Sequence, residues 1–197
     1  HSSVSLGLFC DVFVAKSNTE SAMGEVVHAT SDGLDILVRA ASASWAQPET
    51  ILLYRNGYEI ARAEITPSPG PHDIHHLFHV DLPEDHDSWI SCIVLGAKLE
   101  APWWGVKNKY TLAASNPIWI DRDGRSGYQS PRATAEHLLK KSGPNPTKLT
   151  TALQAADDAV VIQALTMLSE AQLDELADFG DERAAQSAYF RAYWTTH

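Results

Sequence analysis

An Asn-Gly pair at 56–57 separates two strand-like runs, Thr50-Ile51-Leu52-Leu53-Tyr54-Arg55 and Tyr58-Glu59-Ile60-Ala61-Arg62-Ala63-Glu64-Ile65. Both central positions of a two-residue hairpin turn take positive φ, which Asn and Gly adopt at least cost. The pair predicts a β-hairpin and commits this part of the chain to antiparallel pairing. The surrounding runs agree. Residues 5–15, with Leu6, Leu8, Phe9, Val12, Phe13 and Val14, read as a buried strand. Residues 17–24 are polar and turn-like, 24–30 a short strand, and Ser31-Asp32-Gly33 a turn. Residues 34–40, 76–82, 88–96 and 113–120 read as further strands. Short strands between turn signals predict a mainly β, antiparallel, Ig-like sandwich.

The pattern changes after Gly124. Ser130-Pro131 and Asn145-Pro146 each place a capping side chain before a Pro at the first helical position, where the missing N–H costs nothing. Gly143 suits the end of the first helix. Leu149, Leu153 and Ala156 share one face, and Val160, Val161, Ala164, Leu165 and Leu168 form a stripe starting from Asp157. Ser169 and Gln172 fit a capping box, with Leu173, Leu176 and Ala177 inward. A last helix is expected from Asp181 to Trp194. The expected fold is a sandwich followed by a small α-helical bundle, α+β overall, with HEAT-like hairpins as one form of the bundle. The expected domains are 1–30, the end of a preceding domain or the first sandwich strands; 31–124, the sandwich; and 125–197, the helical module.

Asp and Glu number 25 against 15 Lys and Arg, a net charge of −10. With no basic cluster, nucleic acid is excluded as an expected partner. No apolar run approaches the roughly 20 residues of a membrane span. Cys10 and Cys92 both lie in strand-like runs, and buried thiols are favoured over a disulfide, which spacing alone cannot decide. The chain opens at His1 with neither an initiator Met nor a signal peptide. It is therefore expected to be a fragment, a processed mature form or a truncated product, soluble, with an extracytoplasmic location left open.

Between Gly33 and Asp123 a particular succession appears. An apolar strand leads to Trp45, then to the Tyr54-Arg55-Asn56-Gly57 hairpin, Asp87-Ser88-Trp89-Ile90 and Pro102-Trp103-Trp104. It ends in Ser115-Asn116-Pro117-Ile118-Trp119-Ile120-Asp121-Arg122-Asp123-Gly124. This resembles the C-terminal sandwich of the CehA/McbA-like metallohydrolases, which carry a catalytic PHP (polymerase and histidinol phosphatase) domain upstream. The resemblance covers about two-thirds of the chain and leaves the helical tail unexplained. At the start, Gly7, Phe9, Phe13 and Val14 stand at compatible positions, with Cys10-Asp11-Val12 where the family has Pro-Arg-Thr. The resemblance implies that His1 is the last metal ligand of that domain. It also implies a divalent metal (zinc, manganese or iron) in the intact protein, none being demonstrable from this chain. It implies hydrolysis of phosphoesters or related esters there. This chain would then be a non-catalytic accessory region, packing on an upstream catalytic domain, shaping its substrate entrance, or meeting another protein through the helical module. No catalytic residue is assigned within it.

Other chemistry is weighed on the residues themselves. A free N-terminal His1 with a second His would suit a copper brace in a secreted protein, and a frayed terminus is the plain alternative. His72, His75, His76 and His79, with Asp73 and His86, form a dense cluster. On a strand, however, His75 and His79 would stand about 13 Å apart on one face, with His76 on the other. A half-exposed edge strand is favoured over a ligand set. Asp121 and Asp123 precede Gly124 like the start of a calcium loop, but Arg125 and Arg132 occupy later ligand positions, so a structural turn is favoured. Trp103-Trp104 would serve as an aromatic platform for a sugar or partner, or as an inter-domain plug, which is favoured. A stand-alone carbohydrate- or protein-binding module is the first rival reading and the copper protein the second. No Gly-x-Ser-x-Gly elbow or phosphate-binding Gly loop is present.

Overall fold

The computed structural model describes residues 2–15, 20–29, 33–66, 68, 70–82, 86–98, 110–122, 124 and 127–195, without the side chains of 2–6 and 20. Among the described residues it is a mixed structure of antiparallel sheets and six helices, divided into two units. One takes in His1–Pro83 and Ser88–Tyr128, the other Glu84–Asp87 and Gln129–His197.

Among its described residues the first unit holds eleven strands: β1 (Ser2–Leu6), β2 (Leu8–Ala15), β3 (Glu20–Ala22), β4 (Val26–His28), β5 (Gly33–Ser42), β6 (Pro48–Arg55), β7 (Tyr58–Glu64), β8 (His72–Asp81), β9 (Ser88–Lys98), β10 (Tyr110–Ser115) and β11 (Ile118–Asp121). The Asn-Gly hairpin joins β6 to β7, with φ of 48° at Asn56 and 90° at Gly57. Strand β9 organises the seven-stranded sheet. One of its edges pairs with β6, the other with β10 along one half and β11 along the other half. Residues 113–120 are expected as one strand, but the N–H missing at Pro117 interrupts it. The break lets the outer neighbour change from β1, beside β10, to β4, beside β11. Among the described residues the β11–β4 pair is parallel and the other strand pairs are antiparallel. The second sheet runs β3-β2-β5-β8.

Residues 5–15 are also expected as a single buried strand. Instead the chain changes sheets at Gly7, whose φ is +72°. A Cβ there would lie 2.3 Å from the Trp45 ring, so both backbone and packing require glycine. Only one face of β2 is buried: Leu8, Cys10, Val12 and Val14 point inward, while Phe9 faces solvent. Ile36, Val38, Phe78 and Val80 of the same sheet meet Ile51, Leu53, Ile90, Cys92, Val94, Ile118 and Ile120 of the larger one in a single apolar core. Each fully buried side chain of this size stabilises by about 1.5–3 kcal/mol relative to exposure. Residues 17–24, expected as a turn, contribute the short strand β3.

The second unit is helical: α1 (Pro131–Ser142), α2 (Pro146–Gln154), α3 (Asp158–Leu165), α4 (Glu170–Asp174), α5 (Ala177–Gln186) and α6 (Ala188–Trp194). Ser130, Asn145 and Asp157 cap the first three through N–H bonds from Ala133, Lys148 and Val160. The capping box at Ser169 and Gln172 is formed. The expected last helix from Asp181 is in fact two, broken at Ser187. Extended there, Ser187 caps α6 by accepting from the Phe190 N–H. Leu176 is buried as expected, but Ala177 is exposed because α5 begins at it. Asp158 joins three helices, accepting from Arg183 Nε of α5 and from the Ser187 hydroxyl at the α5–α6 junction. Arg183 also donates to the Leu153 and Ala156 carbonyls at the end of α2, at 3.0 and 2.7 Å. Among the described residues, no helix is long and apolar enough to cross a membrane, which says nothing of a β-barrel.

Candidate functional site

The outward face of the β3-β2-β5-β8 sheet carries the most unusual set of side chains in the first unit. Cross-strand partners share a face, so the register gives the surface directly. One rung runs Ala22–Phe13–Leu37–Leu77 across all four strands. The next is Asp11–Arg39–His75, and beyond it stands Phe9–Ala41–Asp73. On the other side lies Ala15–Asp35–His79. Apolar and charged rungs thus alternate. Phe9 and Leu77 are 59% and 57% exposed, more than any other large aliphatic or phenylalanine described. The Arg39 guanidinium lies 4.6 Å from the centre of the Phe13 ring, covering it with a cation–π contact. Exposed apolar side chains grouped on one sheet face are the kind of feature that marks an interaction surface.

The histidines of β8 divide as a strand requires. His75 and His79 lie on the outer face, and His72 and His76 on the inner. Each makes a contact of its own. His72 Nδ1 is 2.8 Å from Ser42 Oγ and its Nε2 3.1 Å from Ser68 Oγ. His75 Nε2 is 3.3 Å from Asp73. The His76 ring packs on Phe78 with centroids 4.4 Å apart. His79 Nδ1 is 2.9 Å from Asp35 Oδ1, and this bond raises the His79 pKa above the ordinary histidine value. His86, grouped with them in the sequence, belongs to the helical unit. There the Asp157 N–H donates to its Nε2 at 3.3 Å, and its Nδ1 is 3.1 Å from the Asp87 carbonyl oxygen. The proton therefore sits on Nδ1 in the neutral ring. Buried Asp87 in turn accepts from the Gln129 N–H at 2.6 Å.

These donors do not converge. Among the described residues, no group of three or more His, Cys, Asp or Glu is placed to hold a metal ion. The described part of the chain does not fit a shared divalent metal. Asp121 is buried at the end of β11. Its Oδ1 accepts from the Gly124 N–H at 3.0 Å and its Oδ2 is 3.6 Å from His28 Nδ1. His1, Trp103, Trp104 and Asp123 lie outside the described residues.

Three segments that carry the family resemblance come together in the seven-stranded sheet. Trp119 of β11 is the cross-strand partner of Trp89 in β9. Asn56 of the hairpin bonds the Trp89 backbone twice, through its N–H to the carbonyl at 3.1 Å and from the Trp89 N–H to its Oδ1 at 3.0 Å. Trp119 also packs on Tyr128, ring centres 4.5 Å apart. The apolar run 5–15 predicts a buried strand that includes Phe9 and Phe13, whereas the structure turns both to the outer face of the smaller sheet. The signal was the polar Asp11 between them, which marks positions 9, 11 and 13 as the solvent row of a period-two strand. No family model, curated protein or solved structure matches this chain.

Proposed function

We propose that this chain is a non-catalytic accessory region of a PHP-type metal-dependent hydrolase, and that the outer face of its smaller sheet packs on the catalytic part. The finer architecture belongs to the same reading: an Ig-like sandwich followed by a HEAT-like helical bundle. The observation that carries it is the outward Ala22–Phe13–Leu37–Leu77 rung with Phe9 beyond it, of which Leu77 and Phe9 are exposed and Phe13 and Leu37 half-buried. The adjacency of the Asn56, Trp89 and Trp119 segments supports the family side of the reading. In the intact protein a zinc, manganese or iron ion would then be held by the catalytic part, with His1 as a contributing ligand. Trp103-Trp104 would be buried between the parts.

The test is a titration of this chain against a purified PHP-type catalytic domain, followed by analytical ultracentrifugation. Hydrolysis of an aryl phosphodiester with added manganese or zinc is measured in parallel. Expected are a complex and turnover only where the catalytic domain is present. The double variant Phe9→Ser/Leu77→Ser should weaken the complex at least roughly tenfold, the loss of about 1.4 kcal/mol. Turnover by this chain alone, or a complex indifferent to the double variant, would defeat the reading.

A further inference from the structure

We infer that Cys10 and Cys92 are a latent disulfide pair that ties the two sheets of the first unit together when the chain folds under oxidising conditions. Cys10 lies on β2 of the smaller sheet, opposite Ala40, and Cys92 on β9 of the larger sheet, opposite Leu53. Both point into the common core and both are thiols. Stacked sheets stand about 10 Å apart, too far for most side-chain pairs to be bridged. Here a side chain of one sheet reaches the backbone of the other: the Cys10 thiol donates to the Cys92 carbonyl oxygen at 3.9 Å, and the two thiols interact with each other.

The same burial determines when the bond forms. Contact with Cys10, followed by desolvation, holds the Cys92 thiol well above the ordinary cysteine range. The thiolate is the attacking species, so the folded, reduced pair is protected from oxidants. The bond therefore forms before the core closes. With oxidised glutathione as the oxidant, one cysteine thiolate attacks a glutathione sulfur and releases glutathione thiolate. The second cysteine then attacks the mixed disulfide and releases another. Two protein thiols are oxidised and one glutathione disulfide is reduced to two glutathiones, the two protons being taken up by buffer and leaving thiolates.

The experiment refolds the full chain from denaturant in a glutathione redox buffer and, separately, under a reducing agent, then measures intact mass and thiols titrated in denaturant. The expected product is a monomer two hydrogens lighter, without reactive thiol, whose Tm is roughly 5–15 °C above that of the reduced protein. Cys10→Ser and Cys92→Ser should each keep their remaining cysteine as a thiol or glutathione adduct. Where refolding yield is low, the folded chain is incubated with oxidised glutathione, with and without mild denaturant. Bond formation only with denaturant is expected. Two thiols retained throughout, adducts or intermolecular dimers as the main product, or an intramolecular bond that lowers Tm would each overturn the inference.

Discussion

Removing the carboxylate of Asp158 should unfold the helical unit more readily than any surface change. The side chain is 7% exposed and its partner Arg183 16%, so the pair is largely withdrawn from solvent. Breaking a buried ion pair by deleting one partner costs about 3–5 kcal/mol, because the other charge is left uncompensated. The residual exposure of Arg183 and its two carbonyl acceptors, Leu153 in α2 and Ala156 just after it, place Asp158→Ala near the lower end, about 3 kcal/mol. Arg183→Met is expected to cost a similar ~3 kcal/mol: it strands Asp158 and leaves the Leu153 and Ala156 carbonyls without that donor. The double variant removes both charges together, so its cost should fall well short of the sum, with a coupling of about 2 kcal/mol. Urea unfolding followed by far-UV circular dichroism, which reports the helices, measures all three. Single variants within about 1 kcal/mol of the parent, or strict additivity, would refute the claim that this triad holds α3, α5 and α6 together.

Three further outcomes are expected. In Asp35→Asn the His79 titration followed by NMR should move down toward the ordinary histidine midpoint. The raised pKa means the His79–Asp35 interaction is complete at pH below that ordinary value and fades as pH rises through the raised one. An unchanged midpoint would show that Asp35 is not the cause. Gly7→Ala places a methyl 2.3 Å from Trp45 at φ +72°, and denaturant melts should show the first unit weakened by about 2–4 kcal/mol. In Gly180→Ala the new Cβ would fall 2.1 Å from the Trp194 indole, which stacks on Phe190 and donates to Asp181. A net loss of about 1–2 kcal/mol is expected despite the gain in helix propensity, and a rise in Tm would contradict the packing.

What the sequence revealed of the fold divides by the range of the interaction responsible. The Asn56-Gly57 turn and the caps at Ser130, Asn145, Asp157 and Ser169 depend on contacts within four residues, and all are formed. The errors arise where a distant partner decides. At Gly7, where the chain changes sheets, a side chain is ruled out by Trp45, 38 positions on. The last helix breaks because Ser187 can satisfy both Phe190 and Asp158, and Asp158 lies 29 residues away. No local periodicity carries that information. The histidines of β8, by contrast, follow the local period-two geometry that already separates His75 and His79 from His76 in the sequence. Strand geometry sends them to opposite faces, and register supplies each with a separate neighbour.

The candidate face was hidden for a related reason, and its position narrows how it can be used. Hydrophobicity alone cannot tell an inward Val12 from an outward Phe13. Only pairing with β5 shows that Phe13, Leu37 and Leu77 form one outward rung. Strand β8 at the end of that rung is an edge strand, a natural template for adding another strand. Its outward row, however, is Asp73, His75, Leu77, His79 and Asp81, polar at four of five positions. Charged and polar side chains on an edge oppose strand addition, whereas the apolar rung behind them remains open to a partner laid flat on the sheet. Association should therefore respond to Phe9→Ser and Leu77→Ser and be indifferent to a substitution such as Asp81→Asn at the edge. If the edge variant controlled complex formation and the face variants did not, strand addition would replace face packing as the mode of contact.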